Sequence, residues 1–252
     1  MKLTFLGTGT SQGIPVIACE CDVCKSTDSK DKRLRTSVLI ESDSTSVTID
    51  SGPDFRQQML NCNQKKLDAI VFTHEHKDHV AGLDDVRAFN FKSKKDMEVY
   101  ASQNVIDALK REFHYVFNEF KYPGVPSLNL NLINKDSVFT IGDIHFSTIE
   151  VFHYKLSVYS YRINDLVYIT DANKINDEEV DKIRGCKVLI INALRKEEHI
   201  SHFNLKQAIE FSEKVVAQKV YLIHLSHLMG KHDELELPKH VEIAYDGLQI
   251  TF

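Results

Sequence analysis

Apolar positions along the chain fall into short blocks, and the spacing inside each block separates strands from helices. Leu3 to Leu6, Ser37 to Ile40, Val47 to Ile49 and Ala69 to Phe72 are compact, β-branched runs bounded by turn formers, which predicts strands. Pro53 to Leu60 places Phe55, Met59 and Leu60 on one side at helical spacing. Leu83 to Phe91 and Asn104 to Phe113 also read as helices, with a strand at Met97 to Ala101 between them. The second half repeats the style. Strands are expected at Ser137 to Thr140, Ile144 to Val151, Ser157 to Ile163, Leu166 to Ile169, Val188 to Ile191 and Val220 to Ile223, with short ones near Val241 and Leu248. A helix is expected at Asn176 to Arg184. A second is capped by Asn204, with Gln207 completing a capping box, and runs to about Val216. Tyr122 to Asn134, broken by Pro123, Gly124 and Pro126, reads as the least ordered stretch.

Two mixed β/α halves predict two sheets packed face to face with helices outside. Composition narrows this only slightly. The 252 residues are 42% hydrophobic and 27% charged, with 10 Gly, 5 Pro and no linker-like stretch, so one domain over 1–252 is expected. The net charge of −5 argues against a broad electrostatic grip on nucleic acid or an anionic membrane. Lys92, Lys94 and Lys95 form a small basic group, best read as a solvated loop. No apolar run approaches the roughly 20 residues of a membrane span. The start, Met1-Lys2-Leu3-Thr4-Phe5-Leu6-Gly7, reads as a strand and not a signal peptide, so a cytoplasmic location is expected. Five cysteines, an odd number, do not suggest a disulfide framework.

The chemistry concentrates in Thr73-His74-Glu75-His76-Lys77-Asp78-His79, directly after a predicted strand. While the chain stays extended, His74 and His76 face the same side. Asp78 and His79 follow where it turns toward the next helix. Four metal-ligand side chains in six residues exceed what one open site needs, and suit half of a two-metal centre. His153, Asp171 and His224 each follow an apolar strand and could converge on the same rim.

His74-x-His76-x-Asp78-His79 with those later partners, together with Phe5-Leu6-Gly7-Thr8-Gly9 and Asp50 after a strand, resembles the metallo-β-lactamase superfamily across essentially the whole chain. The resemblance implies an αββα sandwich of α/β class. It also implies that His74, His76 and His153 hold one metal, that Asp78, His79 and His224 hold the other, and that Asp171 bridges them. Two such cations clamp an ester or phosphoryl oxygen and generate hydroxide near neutral pH. Asp78 would orient it. Mixed His and Asp ligation suits zinc, manganese or iron.

Cys19-x-Cys21-x-x-Cys24 can wrap one tetrahedral zinc, with His227 chosen as fourth ligand because His224-Leu225-Ser226-His227 can send its second imidazole outward. Cys62 and Cys186 stand alone and read as core filling. Gly13-Ile14-Pro15, the cysteine loop, His224-x-x-His227, Asp50 to Arg56, Gly82 to Arg87 and Asn192-Ala193-Leu194-Arg195 are similar to the phosphoribosyl cyclic phosphodiesterases of the carbon–phosphorus lyase pathway. That branch implies hydrolysis of a small, cyclic or open, nucleotide or sugar phosphodiester, and a homodimer. It also implies that His202, before the Asn204 helix, reaches the substrate. As a protonated imidazole it would stabilise the phosphorane or protonate the leaving oxygen. His199 and Arg195 are further substrate-binding candidates. Arg56 and Arg87 read equally as ion-pair partners of Asp54, Asp84 or Asp85, and His114, His145, His232 and His240 as ordinary histidines. Two alternatives stand beside the phosphodiesterase. One is a ribonuclease Z type tRNA 3′-end endonuclease, disfavoured by the lack of a basic arm. The other is a carrier similar to the pyrroloquinoline quinone biosynthesis protein, disfavoured because all seven catalytic ligand positions are filled.

Overall fold

The structure is a computed structural model that describes residues 1–120 and 122–252. The strands are β1 (Lys2–Gly7), β2 (Ser37–Glu41), β3 (Ser46–Ile49), β4 (Ala69–Val71), β5 (Met97–Ala101), β6 (Leu128–Leu132), β7 (Val138–Ile141), β8 (Ile144–His153), β9 (Leu156–Ile163), β10 (Leu166–Ile169), β11 (Val188–Asn192), β12 (Lys219–Ile223), β13 (Val241–Ile243) and β14 (Gln249–Thr251). The helices are α1 (Asp22–Lys25), α2 (Phe55–Asn61), α3 (Lys77–Val80), α4 (Arg87–Ser93), α5 (Gln103–Glu112), α6 (His114–Phe117), α7 (Asp177–Ile183) and α8 (Leu205–Lys214). None is long and apolar enough to cross a membrane.

Two seven-stranded sheets result, in the orders β14-β1-β2-β3-β4-β5-β6 and β13-β12-β11-β10-β9-β8-β7. In each, antiparallel pairing gives way to parallel pairing. β3, β4, β5 and β6 run parallel, as do β10, β11, β12 and β13. Their C-terminal ends therefore lie along one edge of each sheet, where open α/β sheets place their ligands.

Alternating apolar faces build the layers. Leu3, Phe5, Ile40, Ile49 and Val71 of the first sheet meet Ile144, Phe146, Tyr161, Tyr168 and Ile190 of the second in one buried cluster. The outer face of the first sheet packs on Phe55 and Met59 of α2 and on Val105 and Leu109 of α5. The outer face of the second packs on Val180 and Ile183 of α7 and Ala208 of α8. β10, β11 and β12 are thus covered on both faces, which is why they read as continuous apolar runs. The expected αββα sandwich is what forms.

Three elements differ from the sequence reading. Tyr122 to Asn134 is not irregular throughout, because Leu128 to Leu132 form β6. Leu128 and Leu130 pack on the outer cluster, while Asn129 and Asn131 donate to Glu98 of β5. That strict Leu-Asn alternation is a strand signal, and the preceding Pro and Gly residues obscured it. Leu83 to Phe91 is two pieces, a 3-10 turn at Leu83–Val86 and then α4. The segment after His76 coils at once into α3.

α3 is locked against the loop after β3. The Ser51 N–H donates to the His79 carbonyl and the Gly82 N–H to the Ser51 carbonyl, both at 2.8 Å. The approach is so close that a Cβ on Gly52 would lie 1.9 Å from the Asp78 carbonyl oxygen. Gly52→Ala is therefore expected to cost about 1–3 kcal/mol of stability, the usual range for overpacking. Urea denaturation measures it, and a midpoint matching the parent protein would contradict this account of the contact.

Candidate metal centre

β4 delivers the histidine run to the rim. Beyond its end, Thr73 reaches Asp50, the residue after β3. The Asp50 carboxylate is wholly buried and accepts from the Thr73 N–H at 2.8 Å, the Thr73 hydroxyl at 2.8 Å and His79 Nδ1 at 2.7 Å. His74 Nδ1 lies 3.0 Å from the same Thr73 hydroxyl, which accepts from it while donating to Asp50. Both imidazoles are thereby held with Nε2 free to accept a cation. His76 occupies the N-cap position of α3, which carries Asp78 and His79.

The second sheet supplies the rest. His153 is the last residue of β8, and its Nδ1 donates to the Ser201 carbonyl at 2.8 Å. Asp171 and His224 follow β10 and β12. Both adopt left-handed backbone, with φ of 55° and 56°, as does Asp50 at 66°. Three non-glycine residues in that sparsely populated region, each turning off a strand end, mark a site where the fold holds local strain. Asn192, the buried last residue of β11, clamps Ala172 in both directions: its Oδ1 accepts from the Ala172 N–H at 2.8 Å and its Nδ2 donates to the Ala172 carbonyl at 3.0 Å. Asp171 is positioned by that clamp.

Donor atoms of Asp78, His79, Asp171 and His224 all lie within 4.8 Å of one another, and so do those of His153, Asp171 and His202. His79 Nε2 is 3.2 Å from both Asp78 and Asp171, and His224 Nε2 is 3.3 Å from Asp171. His74 and His76 adjoin through their rings. Their centroids are 4.6 Å apart, and the His76 ring is 5.2 Å from that of His153. The compact set around His153 thus contains His202 and not His74 or His76, because the His202 ring packs 4.5 Å from that of His153. All seven ligand candidates meet at one place, with Asp171 common to both compact sets.

These residues fit a cationic group. His74 Nε2, His79 Nε2 and both nitrogens of His224 are buried without hydrogen-bond partners among the described residues. Orphaned polar atoms of this kind are costly unless something satisfies them. Burial alone would push Asp78 and Asp171 up, but the surrounding imidazoles outweigh it and hold both below the usual carboxylate range. Two buried carboxylates among converging imidazoles are a mixed oxygen and nitrogen donor set that divalent cations accept.

His202 is buried among the other imidazoles of the site. Burial, with His224, His153 and His199 close by, lowers its imidazole to about 3 against the pull of Asp171. It sits two residues before Asn204, whose capping box with Gln207 forms as read, at 2.8 and 3.0 Å. The His199 ring is 5.2 Å from that of His202. Arg195 donates to the Glu198 carbonyl. Arg87 pairs with Asp84 at 3.2 Å, whereas Asp54 pairs with Arg35, which the sequence reading passed over, and not with Arg56. Cys186 is core and Cys62 packs at its margin.

A separate cluster lies beside this rim. Thr10 N–H to Leu225 O and Leu225 N–H to Thr8 O tie the loop after β1 to the segment after β12. The tie brings His227 Nδ1 to 3.2, 3.4 and 3.6 Å from the sulfurs of Cys19, Cys21 and Cys24. Edges of about 3.5 Å are what Zn–S near 2.3 Å and Zn–N near 2.0 Å give in a tetrahedron. The Cys24 N–H pulls Cys21 down to about 6, while burial pushes Cys24 up to about 11. Crowded thiols cannot all ionise together unless a cation joins them. This cluster fits a closed zinc site.

The chain matches the family model for the β-lactamase superfamily domain over residues 45–225. It is 42% identical over 253 residues to an octanoyltransferase of Porphyromonas gingivalis, covering 99% of this chain but 51% of that protein, so it spans about half of that relative. Among solved structures it resembles a diphosphatase of the PhnP family, with 36% identity, a TM-score of 0.92, and coverage of 99% of this chain and 96% of the other. Zinc-bound PqqB of Methylobacterium extorquens shares the fold at 15% identity, with a TM-score of 0.83 and full coverage of both chains. The family match and the observed sandwich agree: the chain belongs to the metallo-β-lactamase superfamily and resembles its PhnP branch.

Proposed function

We propose that the protein is a metal-dependent phosphodiesterase acting on small phosphodiesters, with nucleic acid not its substrate. The observation that carries this is the meeting of unpartnered imidazole nitrogens with Asp78 and Asp171 at one strand-end rim. Likeness to a PhnP-family diphosphatase supports phosphorus as the centre attacked. In this reading His74, His76 and His153 hold one divalent cation and Asp78, His79 and His224 the other, with Asp171 shared and zinc or manganese as the metals. Cys19, Cys21, Cys24 and His227 hold a structural zinc. The catalytic pair supplies Lewis acidity toward a phosphoryl oxygen and lowers the pKa of water.

The chain's own groups do the remaining work. Asp78, kept ionised, accepts a hydrogen bond from the attacking water and so orients it. His202, buried beside His153, donates a hydrogen bond to a phosphoryl or leaving oxygen. The N-terminus of α8 behind it favours an anion. Asp50 acts on none of these atoms. It sets the tautomers of His79 and, through Thr73, of His74.

Purified protein should hydrolyse bis(p-nitrophenyl) phosphate with added manganese and stop when chelator is added. No metal-dependent turnover across a phosphodiester panel would sink the reading, and cleavage of precursor tRNA at low enzyme concentration would replace it with the ribonuclease Z one. Elemental analysis should find on the order of three metals per chain, two lost on removing His79 and Asp171 and one lost on replacing Cys21 and Cys24 by serine. A parent protein holding a single zinc would instead indicate a carrier. Asp50→Asn should weaken metal affinity about 10–100-fold while leaving every ligand in place, as loss of ligand-orienting contacts does. A metal titration matching the parent would show that Asp50 does not orient the ligands.

A further inference from the structure

The lip of this site carries two large apolar side chains that folding leaves in water. Tyr154 is 52% exposed and Ile200 69% exposed. Both are coupled to the site through the backbone. Tyr154 directly follows His153, and Ile200 directly precedes Ser201, whose carbonyl holds His153 Nδ1. One side chain joins the pair: Asn173 Oδ1 accepts from the Tyr154 N–H at 2.7 Å, and Asn173 Nδ2 donates to the Ile200 carbonyl at 3.0 Å. Asn173 is itself two residues from Asp171.

Local chain chemistry does not explain a tyrosine here. β8 and β9 are joined by Tyr154 and Lys155, and Tyr154 adopts φ of 58°, in the left-handed region where Asn and Gly are favoured. The next hairpin, between β9 and β10, obeys that preference, with Asn164 at φ of 52°. An aromatic side chain placed against its backbone preference and half in solvent contributes little to the core. Two lysines adjoin aromatic rings here. Lys155 Nζ lies 5.4 Å from the Tyr154 ring and Lys174 Nζ 5.7 Å from the Phe152 ring.

We infer that Tyr154 and Ile200 form the subsite for the planar base of a nucleotide-type substrate. The base stacks on the Tyr154 ring against Ile200, and Lys155 and Lys174 lie beside its further negative charge. This rests on the phosphodiesterase reading and selects, among phosphodiesters, those carrying a base over those of a bare sugar or alkyl group. Binding is the discriminating readout, because stacking on an aromatic side chain contributes without hydrogen-bond recognition of the base.

Calorimetric titration of the manganese-loaded protein with AMP and with ribose 5-phosphate tests the assignment. AMP should bind about tenfold more tightly, and Tyr154→Asn should bring the two within about twofold, while Tyr154→Phe keeps the preference. Because Asn suits the left-handed backbone, the melting temperature of Tyr154→Asn should equal or exceed that of the parent, which checks that the fold is retained. Equal affinities in the parent, or an undiminished preference in Tyr154→Asn, overturn the subsite. Turnover of a ribose cyclic phosphate by the parent is measured alongside. Turnover without any AMP preference removes the subsite alone. An AMP preference that depends on Tyr154 without turnover supports the subsite and removes the phosphodiesterase reading.

Discussion

The buried carboxylate of Asp50 is the contact on which the rest of the site depends. It is wholly buried, and its partners are a backbone N–H, the Thr73 hydroxyl and His79 Nδ1. Those three bonds join the end of β3 to the segment after β4 and to α3, and they decide which nitrogen of each imidazole faces the cluster. A carboxylate this deep is tolerated only when its hydrogen bonds are complete, so its partners cannot rotate away without leaving a charge unpaired. The backbone bonds between Ser51, Gly82 and the His79 carbonyl, with the Gly52 approach to Asp78, hold the same junction from outside.

The two-sheet architecture gives this junction its counterpart. Parallel pairing in both halves brings the ends of β3 and β4 to the rim reached by β8, β10 and β12. Each sheet supplies an incomplete donor set for the rim. Packing of Phe5, Ile40, Tyr161 and Tyr168 between the sheets is therefore also what assembles the chemistry. The same principle works at smaller scale in the cysteine cluster. Three thiols from the loop after β1 are completed by one imidazole from the segment after β12, through two backbone bonds around Leu225.

Much of this is visible in the chain. Strands covered on both faces, such as Val188 to Ile191, announce themselves as unbroken apolar runs. The Asn204 and Gln207 cap is a local signal and forms as read. The ligand-type residues are rare in ordinary loops and stand directly at strand ends, so their identities are legible without coordinates. β6 is hard to see in the sequence because its alternation is only five residues long and follows two prolines, and an edge strand needs β5 beside it to complete its hydrogen bonds.

The sequence by itself determined which side chains could hold metal, which loop carries the thiols, and that two mixed sheets must cover one another. Those are properties of residue type and short-range period. Only the tertiary structure decided that His202 packs against His153, that Asp50 and Asn192 orient the ligands, that Asp54 pairs with Arg35, and that Asn173 joins the backbones of Tyr154 and Ile200. Each of these depends on desolvation or on contacts between segments far apart in the chain. Neither the burial of an imidazole nor the partner of a carboxylate is encoded in its immediate neighbours.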